Sequence, residues 1–267
     1  MIPWFYDWLK QTTGEEIHLL RYITARAGIA CFLAFGLSLL LGGRVIRKLI
    51  SLKVGQPVRT AEEVHKLAEL HGGKAGTPTM GGVLIIGTVL FAVLLAAPLD
   101  NPFIWVVTFV FVSLGLLGFA DDYLKVAKKS SAGISSRAKL AGQLTVAVIA
   151  AVFLMNIGPE TGSYIRELHV PFKKEPLIDD MGWWCVPFFA LVIVGCSNAV
   201  NLTDGLDGLA VGCSVTVAMA YTFFCYLVGH AGLGQYLNIP HNPYVGDLSV
   251  FCMALVGAGM GFLWFNC

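Results

Sequence analysis

Two acidic groups in this chain each close an apolar run. The first is Gly118-Phe119-Ala120-Asp121-Asp122-Tyr123-Leu124-Lys125, after a run that opens near Ile104 and carries no charge until Asp121. The second is Asn198-Ala199-Val200-Asn201-Leu202-Thr203-Asp204-Gly205-Leu206-Asp207-Gly208. Charge at the end of a membrane span is costly unless it is solvated, paired or metal-bound. Fixed negative charge at a lipid–water boundary also lets a cation bridge protein to phosphate. The chemistry these two groups suggest is therefore phosphoryl transfer on a lipid substrate.

Neighbouring residues on a helix point about 100° apart, so Asp121 and Asp122 are expected to have different jobs. One would face a metal or a reacting oxygen while the other orients a lysine. Lys125 follows at the spacing that puts it on their face of a continuing helix; taken alone, the trio reads equally well as an interfacial cap with a solvated ion pair. Asn198, Asn201, Asp204 and Asp207 recur every third residue, a row that winds slowly across one helix face. In a run otherwise apolar from Trp184 to Cys196, such a row is expected to face a water-filled cleft, with a polar packing seam as the plainer alternative. Gly205 and Gly208 can break the helix and present backbone N–H groups to a phosphate or a uracil edge.

Weaker signals lie elsewhere. Lys74-Ala-Gly-Thr-Pro-Thr79-Met-Gly-Gly82 combines a cation with glycines that permit close backbone approach, without the order of a P-loop. Gly257 and Gly261 have the spacing of close helix packing, and no chemistry is assigned to them. The seven cysteines form no C-x-x-C pair and read as small buried apolar residues. The histidines, without metal-ligand spacing, read as loop residues.

The elements that must position these groups are membrane helices. Hydrophobic residues make up 56% of the chain and charged residues 13%, with a mean hydropathy of +0.72; a soluble chain of this length needs a more charged surface. Apolar runs at 19–42, 82–98, 104–120, 138–157, 184–200, 209–229 and 248–265 predict seven spanning helices. The fold class expected is an all-α polytopic bundle, a single integral membrane domain over 1–267, with at most a short hairpin near 165–175. Lysine and arginine concentrate in 43–81 and 121–139, which puts those loops in the cytoplasm and the N-terminus outside. Alternation then brings Lys74, the Asp121–Asp122 edge, the Asp204–Asp207 edge and Asn266 to one cytoplasmic face. One composite site follows, with the two acidic groups within about 10–12 Å, the reach of a cation bridging carboxylates to a phosphate. No basic tract or basic, aromatic-interleaved motif points to nucleic acid.

Together the motifs, extended by Gly257-Ala-Gly-Met-Gly-Phe-Leu-Trp-Phe-Asn266, resemble the polyprenyl-phosphate N-acetylhexosamine-1-phosphate transferase family in its phospho-N-acetylmuramoyl-pentapeptide transferase branch. The resemblance covers essentially the whole chain, and the long Asn/Asp motif is its most specific part. It implies a Mg²⁺-dependent enzyme of the bacterial cytoplasmic (inner) membrane that uses UDP-MurNAc-pentapeptide and undecaprenyl phosphate to make lipid I and UMP. It implies catalytic roles for Asp121, Asp122 and Asp204, and metal contact at Asp121 and Asp122. Substrate contact is implied at Lys74, Thr79, Lys125, Lys139, Asn198, Asn201, Gly205, Leu206, Asp207 and Asn266. Asp121 is expected to deprotonate or hold the attacking lipid phosphate; direct attack and a two-step route through an aspartyl phosphate both stay open. A homodimer is compatible with the resemblance. The family pattern continues past Cys267 with a Phe-Met-Gly-Asp motif carrying the principal metal-binding aspartate, a His-rich motif and the rest of a ten-helix fold. On that ground the 267 residues are expected to be an N-terminal part without turnover of its own. Two alternatives remain at this stage: a sibling transferase moving a HexNAc-1-phosphate without a peptide, and a non-catalytic membrane protein binding cations at its acidic rim.

Overall fold

The structure is a computed structural model that describes Pro3, Trp4, Tyr6, Thr12 and residues 18–51, 81–127, 133–158, 161–162, 164–170, 173 and 175–266. The described residues form helices α1 (His18–Arg21), α2 (Ile23–Ser51), α3 (Gly82–Ala96), α4 (Pro102–Ala127), α5 (Ser136–Met155), α6 (Cys185–Thr203), α7 (Leu209–Gly229), α8 (Ala231–Leu237), α9 (Pro243–Gly246) and α10 (Leu248–Asn266). Helix is what a chain this apolar must form in lipid, since each segment then satisfies its own backbone groups. Among the described residues six segments are long and apolar enough to cross a membrane, and Gly82–Ala96 is a shorter apolar helix. The protein is a multi-pass, all-α membrane bundle. Two expectations need adjusting. Helix α2, expected over 19–42, starts at Ile23 and runs on to Ser51, with Arg44, Arg47 and Lys48 in its polar extension. The hairpin expected near 165–175 reduces, among the described residues, to one antiparallel bridge from Leu168 to Ile178, beyond the expected range.

Helix α10 packs against α2, α3 and α7, while α4 and α5 join the α3 side to α6. Small residues set the α2–α10 approach. A Cβ at Gly257 would strike the backbone of Cys31, and one at Gly261 would lie 2.5 Å from Ser38 Cβ. Ala30, Ala34, Ala254 and Ala258 fill the same seam at zero exposure, so dispersion between closely approaching backbones holds it. Gly259, two residues from each of the other glycines, turns to α7, where a Cβ would meet Val215. Ser38 donates a hydrogen bond to Thr88 Oγ1 at 3.2 Å, tying α2 to α3.

The end of the bundle away from the acidic groups is closed by polar side chains. Arg26 Nη2 donates to Asp247 Oδ1 at 2.9 Å, and Asn101 Nδ2 donates to Asp247 Oδ2 at 3.1 Å and to the Tyr244 carbonyl at 2.7 Å. Asn101 Oδ1 also accepts from Phe103 N–H at 2.9 Å, capping α4 just before Pro102.

Candidate functional site

Asp121 and Asp122 lie on the last turns of α4, and Lys125 one turn later meets both. Its Nζ stands 2.7 Å from Asp121 Oδ2 and 3.1 Å from Asp122 Oδ1. The expected division, with only one aspartate orienting the lysine, is thus corrected: i+3 and i+4 spacing on an unbroken helix delivers the ammonium between the two carboxylates. They differ in environment instead. Asp121 is buried and Asp122 is half-buried. Asp121 Oδ1 accepts a 2.7 Å hydrogen bond from the Ile134 backbone N–H, in the segment leading into α5. Each Asp121 oxygen thus accepts from a donor of its own.

Helix α5 starts under a Ser135 cap whose hydroxyl accepts from Ala138 N–H at 3.4 Å, which orients the first turns. Lys139 extends from there and donates to Asn201 Oδ1 at 2.9 Å. One turn further in, Gln143 exchanges amide hydrogen bonds with Asn198, whose Nδ2 donates to Gln143 Oε1 at 2.9 Å, and Gln143 Nε2 donates to Ser197 Oγ at 3.1 Å. The start of α5 therefore touches both acidic motifs, Asp121 through the Ile134 N–H and Asn201 through Lys139, and the C-terminal end of α4, the N-terminal end of α5 and the C-terminal end of α6 share one end of the bundle.

The row Asn198–Asn201–Asp204–Asp207 is not one helix face. Helix α6 stops at Thr203, and Asp204, at ψ 54°, leaves helical geometry. Residues 204–208 form a turn that ends on Gly208 at φ 75°, a left-handed conformation that glycine adopts without a Cβ clash. Asn198 and Asn201 therefore look toward α5, while Asp204, Gly205, Leu206 and Asp207 sit on an exposed turn. Lys74 and Thr79 lie outside the described residues; Asn266 is the last helical residue of α10, and its side chain lies outside them. The glycine contacts put the C-terminal end of α10 beside the end of α2 and the start of α3, with Phe265 against Gly42 and Phe262 against Gly81. Gly259 beside Val211 and Val215 carries the same end to the start of α7.

Gln143, Ile134 and Gly133 were not among the residues singled out from the sequence. Gln143 had a signal, an amide inside an apolar run, and it is 2% exposed. The Ile134 contribution is a backbone N–H, which no side-chain motif reveals. The cysteine expectation is corrected in part: Cys185 and Cys225 are buried, but Cys196 and Cys213 are exposed, because α6 and α7 turn much of their surface outward. An open apolar cavity of about 480 Å³, lined among others by Phe103, Tyr164, Phe224 and Ile239, lies at the opposite end and shares no residue with the acidic site.

Comparison with known proteins matches residues 104–267 to the glycosyl transferase family 4 model. Residues 74–86 match the phospho-N-acetylmuramoyl-pentapeptide-transferase signature 1. The phospho-N-acetylmuramoyl-pentapeptide-transferase of Maridesulfovibrio salexigens is 49% identical over 250 residues, 94% of this chain and 67% of that protein. That of Methylacidiphilum infernorum is 46% identical over 251 residues, 94% of this chain and 68% of that protein. The enzyme of the same name from Caulobacter vibrioides is 43% identical over 272 residues, 100% of this chain and 72% of its own length.

Proposed function

The chain belongs to glycosyl transferase family 4, in its phospho-N-acetylmuramoyl-pentapeptide transferase branch, and on that premise we propose that it serves the transfer of phospho-MurNAc-pentapeptide from UDP-MurNAc-pentapeptide to undecaprenyl phosphate. The products are lipid I and UMP, and the site faces the cytoplasm from the bacterial inner membrane. The observation that carries this reading is the start of α5, which bonds Asp121 through the Ile134 N–H at 2.7 Å and Asn201 through Lys139 at 2.9 Å and so brings the two acidic motifs to one end of the bundle.

Two anions must meet there, a lipid phosphate and a nucleotide pyrophosphate. Mg²⁺ is commonly held by one or two carboxylates with waters and substrate phosphates rather than by an all-protein cage. The adjacent carboxylates of Asp121 and Asp122 suit that mode, and no cluster of three or more acidic, His or Cys ligands occurs among the described residues. When bound, the ion neutralises charge on the pyrophosphate. In the transfer an oxygen of the lipid phosphate bonds to the β-phosphorus, the bond from that phosphorus to the UMP oxygen breaks, and UMP leaves. Asp121 holds the attacking phosphate or takes its proton. Lys125 and Lys139 stabilise the charge that gathers on the phosphoryl oxygens. The turn Asp204–Gly208 receives the nucleotide together with Asn198 and Asn201, and the family resemblance adds substrate contact at Lys74, Thr79 and Asn266.

The test is transfer by the protein produced from its own gene, in nanodiscs with undecaprenyl phosphate and Mg²⁺. Lipid I and UMP are expected from UDP-MurNAc-pentapeptide and not from UDP-GlcNAc. Transfer from UDP-GlcNAc alone would assign the protein to the sibling branch, and no transfer from either would defeat the proposal.

A further inference from the structure

The segment from Gly133 into α5 does more than start a helix. Ile134 N–H donates to Asp121 Oδ1 at 2.7 Å, while Lys125 holds Oδ2 at 2.7 Å. Lys125 is shared with Asp122 at 3.1 Å and has a flexible stem, so it fixes neither carboxylate's orientation. The backbone amide has no rotamers and serves Asp121 alone. Gly133 lies against the same group: a Cβ there would overlap Asp121 Oδ1, stand 2.8 Å from its Cγ and 3.0 Å from Lys125 Cε.

We propose that Gly133 and Ile134 are positioning residues for Asp121: the Ile134 amide sets the carboxylate's orientation, and the bare backbone at Gly133 permits that approach. The inference rests on the role given to Asp121 above. Because the atoms a Cβ would strike belong to side chains, an alanine at 133 displaces the carboxylate while the helix ends stay in place. Ser135, next in the chain, caps the helix that carries Lys139 to Asn201, so one short segment sets both the carboxylate and the bridging lysine.

Two measurements on the protein produced from its own gene test this. Hydrogen exchange reads the hold directly: Asp121→Ala is expected to speed exchange of the Ile134 amide by about 10-fold or more. Steady-state transfer reads its consequence: Gly133→Ala is expected to lower kcat by about 10- to 100-fold, the cost of moving a reacting group by roughly 1 Å. Its KM for the UDP-linked substrate and its unfolding temperature should stay at the unsubstituted values. Gly87→Ala, where a Cβ meets nothing within 4 Å, is the matched control and should change neither readout. Unchanged exchange at Ile134 in Asp121→Ala overturns the hold. Unchanged kcat in Gly133→Ala, or a fall that comes with a lower unfolding temperature, overturns the positioning role. Absence of transfer by the unsubstituted protein counts against the proposed function, and the exchange measurement still decides the hold.

Discussion

Opposite ends of this bundle pair aspartate with a cation, and they do so for different ends. Asp247 is bound by Arg26 and Asn101, partners 221 and 146 residues away in sequence, with side-chain exposures of only 10% for Arg26 and 15% for Asp247. Those contacts tie the starts of α2, α4 and α10 together. Asp122 meets Lys125 within a single turn of its own helix, at 37% and 36% exposure. A pair that local joins nothing distant, and an exposed pair contributes at most about 1 kcal/mol. Carboxylates that knit helices are identified by the reach and burial of their partners. Asp122, near the end of an apolar helix, makes no such tie, and the proposed function gives it chemistry rather than architecture.

The largest effect expected follows from breaking the architectural pair. Asp247→Ala leaves Arg26 buried without its counter-charge, and Arg26 Nε already lacks a partner; a loss of about 3–5 kcal/mol is expected, read as a lower unfolding temperature in detergent. The double variant Arg26→Met with Asp247→Leu should regain most of it, since apolar replacement removes the orphaned charge. Next in size is Asp122→Asn, expected to cut kcat by about 100-fold, or about 2.7 kcal/mol, while stability moves by less than about 1 kcal/mol. If Asp122→Asn unfolded the protein as Asp247→Ala does, the contrast between the two ends would be lost.

Much of this was legible in the residues. Apolar runs marked the spans because lipid leaves the backbone few options, and Gly257 and Gly261 announced the α2–α10 seam that their missing Cβ atoms make possible. Asp121, Asp122 and Lys125 were legible from helical spacing, which puts Lys125 within reach of both carboxylates, although the deeper burial of Asp121 was not. The Asn198–Asp207 row misled in one respect. A three-residue period suggests a continuous helix, whereas the ψ of Asp204 and the left-handed Gly208 end it, and local backbone geometry of that kind leaves only a glycine as its trace. The Ile134 amide and the Arg26–Asp247–Asn101 network escaped because one is backbone and the other joins residues that no local pattern relates.

A smaller effect sharpens the comparison from the site side. Gln143 is buried and joins α5 to α6 through Asn198 and Ser197, so it belongs to the architecture while touching the site. Gln143→Leu should cost about 1–2 kcal/mol, the net value of its hydrogen bonds plus the partners left short of one. Asn198 keeps a 2.9 Å bond to the Val194 carbonyl, which limits the loss. Chemical denaturation should register this change. A drop as large as that of Asp247→Ala would mean that the α5–α6 contact, and not the Arg26 network, is the principal polar tie.

The smallest effect separates the two ends by salt alone. At about 0.1 M ionic strength charges interact over about 10 Å, and at about 1 M over about 3 Å. Lys125 and Lys139 stand at an open end of the bundle and attract an anionic substrate through solvent, so raising NaCl from about 0.1 to about 1 M should raise the KM for UDP-MurNAc-pentapeptide by about threefold to tenfold. Arg26 and Asp247 are in direct contact at 2.9 Å and shielded from water, so salt reaches them little. The unfolding temperature should then hold within about 2 °C over the same range, the shift expected from less than about 1 kcal/mol in a chain of this size. A KM that ignores salt while the unfolding temperature falls would reverse the assignment, making the Lys125–Lys139 end structural and the Arg26–Asp247 end the one exposed to solvent.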